Sequence, residues 1–291
     1  MELNNELVTA PPRPAATVVM VRDGAAGLEV LLLRRHANSD VLGGAYVFPG
    51  GKIDAADAEL DAAAHLDQAP AELHAQLGEP DTDERTAIGF YVAALREAFE
   101  ESGVLLAHGV DPAALAEATA ALRGGEGFNA LLARRGLRLQ TGQLAPWSRW
   151  ITPRVPSVTN KRFDTRFFLT VVPAGLAVQH DDHEAVESLW LAPRAALERY
   201  WAGGLPLAPP QIMSLAHLSR HANAASALAE ARGRRPPVIQ PEPFDLDGSR
   251  VIAYPGDERH PVRERALPGP SRLVYRQGRF EPLDGFEGLL R

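Results

Sequence analysis

The chain has 291 residues, 45% of them hydrophobic, a formal net charge of −7 and a sequence pI of about 5.7. An acidic balance argues against a general nucleic-acid binder, which needs a basic footprint, and the absence of cysteine excludes disulfides and thiolate metal sites. No apolar run approaches the ~20 residues that span a bilayer, and the opening "MELNNELVTAPPRPAAT" lacks the apolar core of a secretory leader, so a cytoplasmic protein without membrane partners is expected.

After a Pro-rich lead, "ATVVMVR" (Ala16 to Arg22) is β-branched and apolar and predicts a buried strand. The turn "DGAAG" and the strand "LEVLLLRR" (Leu28 to Arg35) complete a hairpin. A short third strand ends at Pro49, inside "GGAYVFPGG". Residues 58–81 alternate alanine, acids and loop signals, with one short helix near Ala71–Leu77. They hold few large apolar anchors, which predicts a helical excursion outside the central sheet.

A long helix is predicted over Asp83–Ser102. Acidic residues stand at its start, Ile88, Val92, Leu95 and Phe99 fall on one face, and Gly103 stands where it stops. "DPAALAEATAALRGG" is another helix, capped by Asp111 with Pro112 in its first turn. Strand chemistry returns with "WITP", "RFDTRFFLTVVP" and "ESLWLAP". "PRAALERYWAGG" and "PPQIMSLAHLSRHANAASALAEARG" read as helices ended by Gly203 and Gly233. The tail from Arg234 is Pro-rich, with strand-like "SRVIAY" and "SRLVYRQGRFEP". No linker separates a second independent domain. The class is α+β or α/β with a mixed sheet, comprising a domain over 1–233 and a Pro-rich extension over 234–291 packed on it.

Two stretches carry chemistry. "FPGGKIDAAD" (Phe48 to Asp57) supplies a glycine loop where backbone can approach a phosphate. In "ALREAFEESGVLL", Glu97, Glu100 and Glu101 stand at i, i+3 and i+4 and share one helix face. Three like charges there repel unless a cation sits among them, and magnesium, a hard ion taking oxygen ligands, suits them. A solvated helix face is the ordinary meaning of such glutamates; their conjunction with the glycine loop favours a site. Arg96, four residues before Glu100, can hold a carboxylate through its forked guanidinium.

Together these stretches resemble the Nudix hydrolase signature, which is glycine, five residues, glutamate, seven residues, then Arg-Glu-apolar-any-Glu-Glu-any-Gly-apolar. Gly51 matches the first glycine, and Arg96 to Val104 match the second half without a gap. Asp57 stands where the first glutamate belongs, and 38 residues separate it from Arg96 in place of seven. The insert therefore occupies about 58–88 within the box. The split box, "RFDTRFFL" after "WITP" and a later "PGDE" are similar to the peroxisomal coenzyme A diphosphatase-like branch and its bacterial relatives.

That resemblance implies an α/β/α sandwich and a hydrolase of nucleoside diphosphate-linked substrates that uses Mg2+ or Mn2+. The substrate implied is coenzyme A or acyl-CoA, with ADP-ribose or NADH as the alternative and a catalytically inactive binding module as the alternative of another class. By position it assigns Glu97, Glu100 and Glu101 as ligands, a backbone carbonyl of Gly50 or Gly51 as a further one, and Arg96 as their orienting group. Asp57 is left as a ligand or a loop residue. The general base is sought in "QHDDHEAVESLW", with Glu184 among the candidates; His180 and His183 read as surface histidines.

Arg162, Asp164 and Arg166 alternate along a strand and suit either a phosphate clamp or an ion-pair ladder. Arg34 and Arg35 end a strand near the glycine loop and suit a 3′-phosphate or a surface. Trp147 and Trp150 suit an adenine stack or the core. A homodimer, wrapped by the tail, is left open.

Overall fold

The computed structural model describes residues 3–4, 6–156, 161–176, 178 and 185–291. In chain order the strands and helices are β1 (Arg13–Gly24), β2 (Gly27–Arg35), β3 (Tyr46–Val47), β4 (Gly50–Lys52), α1 (Ala62–His65), α2 (Pro70–Leu77), α3 (Glu84–Ser102), α4 (Pro112–Arg123), α5 (Phe128–Arg135), β5 (Ala145–Ile151), β6 (Phe163–Val171), β7 (Ala185–Leu191), α6 (Pro193–Trp201), α7 (Pro209–Leu218), α8 (Ala224–Gly233), β8 (Val238–Ile239), β9 (Glu242–Leu246), β10 (Ser249–Ala253), β11 (Arg272–Arg276) and β12 (Arg279–Glu281).

The central sheet has the order β3-β2-β1-β6-β5-β8, with β4 pairing β1 and β7 pairing β2. It is mixed: β1 runs parallel to β6 and β5 parallel to β8, while the other pairs are antiparallel. Alternation along β1 splits its side chains between two cores. Ala16, Val18 and Met20 pack under α3 with Leu31, Leu33 and Phe168. Val19 and Val21 pack on the other face with Leu32, Phe167, α6, α7 and α8. The result is an α/β/α sandwich. The tail belongs to the second core, through Ile252, Tyr254, Leu273 and Phe280, and its strands β9 to β12 form a separate antiparallel sheet.

Asp83 caps α3 by accepting from the Thr86 N–H at 2.9 Å, and Gly103 ends it in the left-handed region at φ 70°. The insert lies outside the sheet but is anchored more firmly than its composition suggests. Leu60, Leu66, Leu73 and Leu77 are buried against α3, so four leucines spaced along 18 residues serve as the apolar anchors.

Two expectations need correction. "PPQIMSLAHLSRHANAASALAEARG" forms two helices, because Asn223 caps α8 by accepting from the Ser226 N–H at 2.8 Å and Asp23 takes the Ala224 N–H at 2.7 Å. "GGK" (Gly50–Lys52) is strand β4, paired with Ala15 to Thr17 of β1, and not an open loop.

Candidate active site

The first half of the box is held by β4 and the second by the last turns of α3. A Cβ on Gly51 would lie 2.4 Å from Glu97 Oε1, so the carboxylate occupies the space a side chain would need. The Gly50 N–H donates to Glu101 Oε2 at 2.9 Å. Gly50 sits at φ 158°, where a Cβ would strike the Ala16 carbonyl oxygen at 2.4 Å. The glycine backbone therefore meets the glutamates directly.

Arg96 joins the two halves. It is 8% exposed. Its Nε and Nη2 donate to the two oxygens of Asp57, each at 2.9 Å, and Nη2 also reaches the Lys52 carbonyl at 3.0 Å. Nη1 donates to Glu97 Oε1 at 2.8 Å and Glu100 Oε2 at 2.9 Å. Burial works against this charge, but the Asp57 bonds and the Glu97 and Glu100 charges outweigh it and keep the guanidinium firmly protonated. Asp57 is 1% exposed, and its Oδ2 also accepts from the Asp54 N–H at 2.8 Å. The shorter side chain at this position thus acts as the seat of Arg96. Burial pushes the Glu100 carboxyl above the ordinary glutamate range, against the lowering effect of Arg96.

The three glutamates differ in setting. Glu101 is the most enclosed and Glu100 the most exposed, with side-chain exposures of 6% and 38%, and Glu97 lies between at 13%. Among the described residues, the group of three whose ligand atoms lie within 4.8 Å of one another is His217, His221 and Glu230, not these glutamates. Glu97 and Glu100 each spend an oxygen on Arg96, and Glu101 spends one on Gly50. An all-oxygen set of this kind fits a hard divalent ion rather than a thiophilic one.

A cleft of about 420 Å³ opens beside Gly50, Gly51 and Glu97. Arg13, Arg35, Lys52 and Lys161 supply its positive charge, and Phe48, Trp150, Phe163 and Phe167 its aromatic wall. Pro241 and Ile252 bring the tail to its rim, and Pro209 and Gln211 bring the first turn of α7. The sequence reading picked out Arg35 but passed over Arg13, Lys52 and Lys161. They stand on three separate segments, and no spacing links them.

Arg162, Asp164 and Arg166 are engaged by partners within the protein. The alternation along β6 is as read, but Phe163, Thr165 and Phe167 face the cleft. Arg166 donates to Glu79 of the insert at 2.9 and 2.5 Å and lies 3.9 Å over the Phe90 ring. Asp164 takes both bonds of a fork from Arg149, at 2.8 and 2.7 Å. Arg162 donates to the Thr152 and Ala10 carbonyls, both at 3.0 Å. Arg149, Asp164, Arg166 and Glu79 thus form an ion-pair network that fastens the insert to the sheet, while Arg162 bonds backbone.

Arg34 is half-exposed beside Tyr46 and 3.8 Å from Glu187. Arg35 turns to the cleft, 3.7 Å from Glu101 Oε1. Trp147 is 1% exposed and packs on His217 at 4.5 Å, a core position, whereas Trp150 reaches the cleft. Glu184, with His180 and His183, lies outside the described residues.

The model of the NUDT19 Nudix domain matches residues 6–218. The human acyl-coenzyme A diphosphatase NUDT19 is 31% identical, over 75% of this chain and 65% of that protein's length. The protein of the same name from Xenopus laevis is 27% identical, over 92% and 83%. A crystal structure of a Nudix hydrolase from Alicyclobacillus acidocaldarius is 32% identical and superposes with a TM-score of 0.62, over 79% of this chain and 99% of that one.

Proposed function

The chain belongs to the NUDT19-type Nudix hydrolases, and from that premise we propose that it cleaves the pyrophosphate of coenzyme A or acyl-CoA, giving 3′,5′-ADP and (acyl-)4′-phosphopantetheine. The observation that carries the reading is the cleft, where Gly51 and Glu97 lie among four cationic side chains and beside an aromatic wall. Coenzyme A presents a pyrophosphate, a further phosphate on its adenosine and a long, weakly polar arm. The glutamates suit the first, Arg13, Arg35, Lys52 and Lys161 the phosphates, and Phe48, Trp150, Phe163 and Phe167 the adenine or the arm.

Glu97, Glu100 and Glu101 are the residues proposed to hold Mg2+ or Mn2+, with a carbonyl of Gly50 or Gly51 as a further ligand. When bound, such an ion neutralises the pyrophosphate and lowers the pKa of the attacking water. The protein's share is placement. Arg96 holds Glu97 and Glu100 from below, and Gly50 orients Glu101. The cationic rim draws the substrate in, and α7 and the tail wall the site from water. Glu184 remains the proposed general base.

The test is a substrate panel with CoA, acyl-CoA, 3′-dephospho-CoA, ADP-ribose and NADH, read by product mass. CoA species are expected to be cleaved fastest. Faster cleavage of ADP-ribose or NADH than of every CoA species would replace the substrate while leaving the family as it stands.

A further inference from the structure

His217, in the last turn of α7, and His221, in the turn that follows, are spaced i, i+4. Glu230 comes back from α8 to meet both. His217 Nε2 lies 2.7 Å from Glu230 Oε1, and His221 Nε2 lies 3.0 Å from Oε2. One carboxylate is thus bracketed by two imidazoles, and all three ligand atoms lie within 4.8 Å of one another.

The bonding within this group is incomplete. The His217 side chain is 6% exposed and that of His221 8%. His221 Nδ1 lies 2.7 Å from Ser226 Oγ, a partner that can accept its proton and leave Nε2 as a bare lone pair. That buried Nε2 has no aligned hydrogen bond, although a carboxylate oxygen lies 3.0 Å away. In that tautomer two lone pairs face each other in a buried site, and they repel unless a cation lies between them. Arg234 does not fill that role. It bonds Glu230 Oε1, not the Oε2 that faces His221, at 2.9 Å, and its guanidinium is seated 4.6 Å over the Trp147 ring.

We infer that His217, His221 and Glu230 form a second metal site, specific for Zn2+ or a similar late divalent ion and separate from the glutamates of α3. Zinc–nitrogen and zinc–oxygen bonds of ~2.0–2.1 Å place tetrahedral ligands about 3.3 Å apart. The observed 2.7 and 3.0 Å, each to a different oxygen of Glu230, would spread by about 0.3 to 0.6 Å, and the remaining separations lie within 4.8 Å, so small side-chain rotations bring the three groups to an ion. Two imidazoles select zinc over magnesium, which prefers oxygen. Three protein ligands leave a fourth position open. A groove of about 1070 Å³ begins at His217 and Glu230 and is lined further on by Arg220, Arg235, His260 and Glu264. Water or a small anion drawn by the arginines can complete the coordination from there. The ion would clip α7 to α8, and α7 is the helix whose first turn walls the active cleft.

The experiment strips a protein whose α3 glutamates are disabled, Glu100→Gln with Glu101→Gln, by chelator treatment and dialysis, then titrates it with Zn2+ and counts what binds. One equivalent is expected, held at least about 100-fold more weakly after His221→Ala or Glu230→Gln. Ni2+ or Cu2+ should quench Trp147 fluorescence in the parent and not in those variants, because that ring lies 4.5 Å from His217. No bound zinc, or the same stoichiometry and affinity in both variants, overturns the site. If the variants unfold by circular dichroism, a zinc-edge anomalous map of the wild-type protein decides. A peak between the three side chains supports the site and its absence removes it. A failed substrate panel would leave this count unchanged.

Discussion

Arg96 and Asp57, 39 positions apart in sequence, are locked by two parallel bonds of 2.9 Å with both side chains buried. This fork carries the split box. It sets the guanidinium that in turn holds Glu97 and Glu100. Asp57→Ala leaves a buried cation short of its main counterion, and the expected loss is about 3–5 kcal/mol of stability by urea denaturation. Arg96→Lys keeps the charge but not the fork. It is expected to lower kcat at least about 10-fold in the fraction that remains folded.

Glu100→Gln and Glu101→Gln keep size and remove charge. Each is expected to lower activity by about two or more orders of magnitude with little change in thermal midpoint. Near-wild-type turnover in both would remove the glutamates from the site.

The two glycines of β4 should separate by phenotype. Gly50→Ala drives a methyl into the Ala16 carbonyl, which belongs to the β1 backbone and cannot swing away, so a large loss of stability is expected. Gly51→Ala meets the Glu97 carboxylate, the far end of a flexible side chain. The expected result is a folded protein with activity reduced at least about 10-fold. Thermal melts and initial rates on the same preparations check both.

The charged side of β6 and the cations of the cleft should separate by kinetics. Arg166→Ala breaks a buried pair with Glu79 and is expected to cost about 3–5 kcal/mol in stability while leaving KM unchanged. Lys52→Ala and Arg35→Ala should leave the fold intact and raise KM for CoA about 10-fold, equivalent to ~1.4 kcal/mol. One of the cleft cations, when replaced, should also reduce the preference for CoA over its 3′-dephospho form. A rise in KM for Arg166→Ala would return that arginine to the site.

Asp67 ties the insert to residues 141–142, accepting from Thr141 Oγ1 at 2.6 Å and the Gly142 N–H at 3.2 Å. Burial alone would raise its pKa. These bonds and His108 outweigh burial and hold it below the ordinary value of 3.8. With a depressed folded-state pKa, the unfolded chain binds the proton first on acidification. The Asp67 contribution is therefore complete above pH 3.8 and is lost as pH falls below it. The drop in urea midpoint between pH 5 and pH 3 should be smaller in Asp67→Asn than in the wild type.

Local rules made much of this protein legible. Asp83 and Gly103 bound α3, the i, i+3, i+4 spacing puts three glutamates on one face, and period-two alternation splits β6 into two sides. Each depends on residues within a few positions of one another, so sequence alone determines it. What faces each side is another matter. The charged side of β6 met the insert because Glu79 was there to receive it, and the cleft took Phe163 and Phe167 instead. The cations Arg13, Lys52 and Lys161, the pairing of Asp57 with Arg96, and the meeting of two histidines with Glu230 all join segments brought together by packing. Only the tertiary structure decided these, because no short-range period encodes which distant side chain will fill a given space.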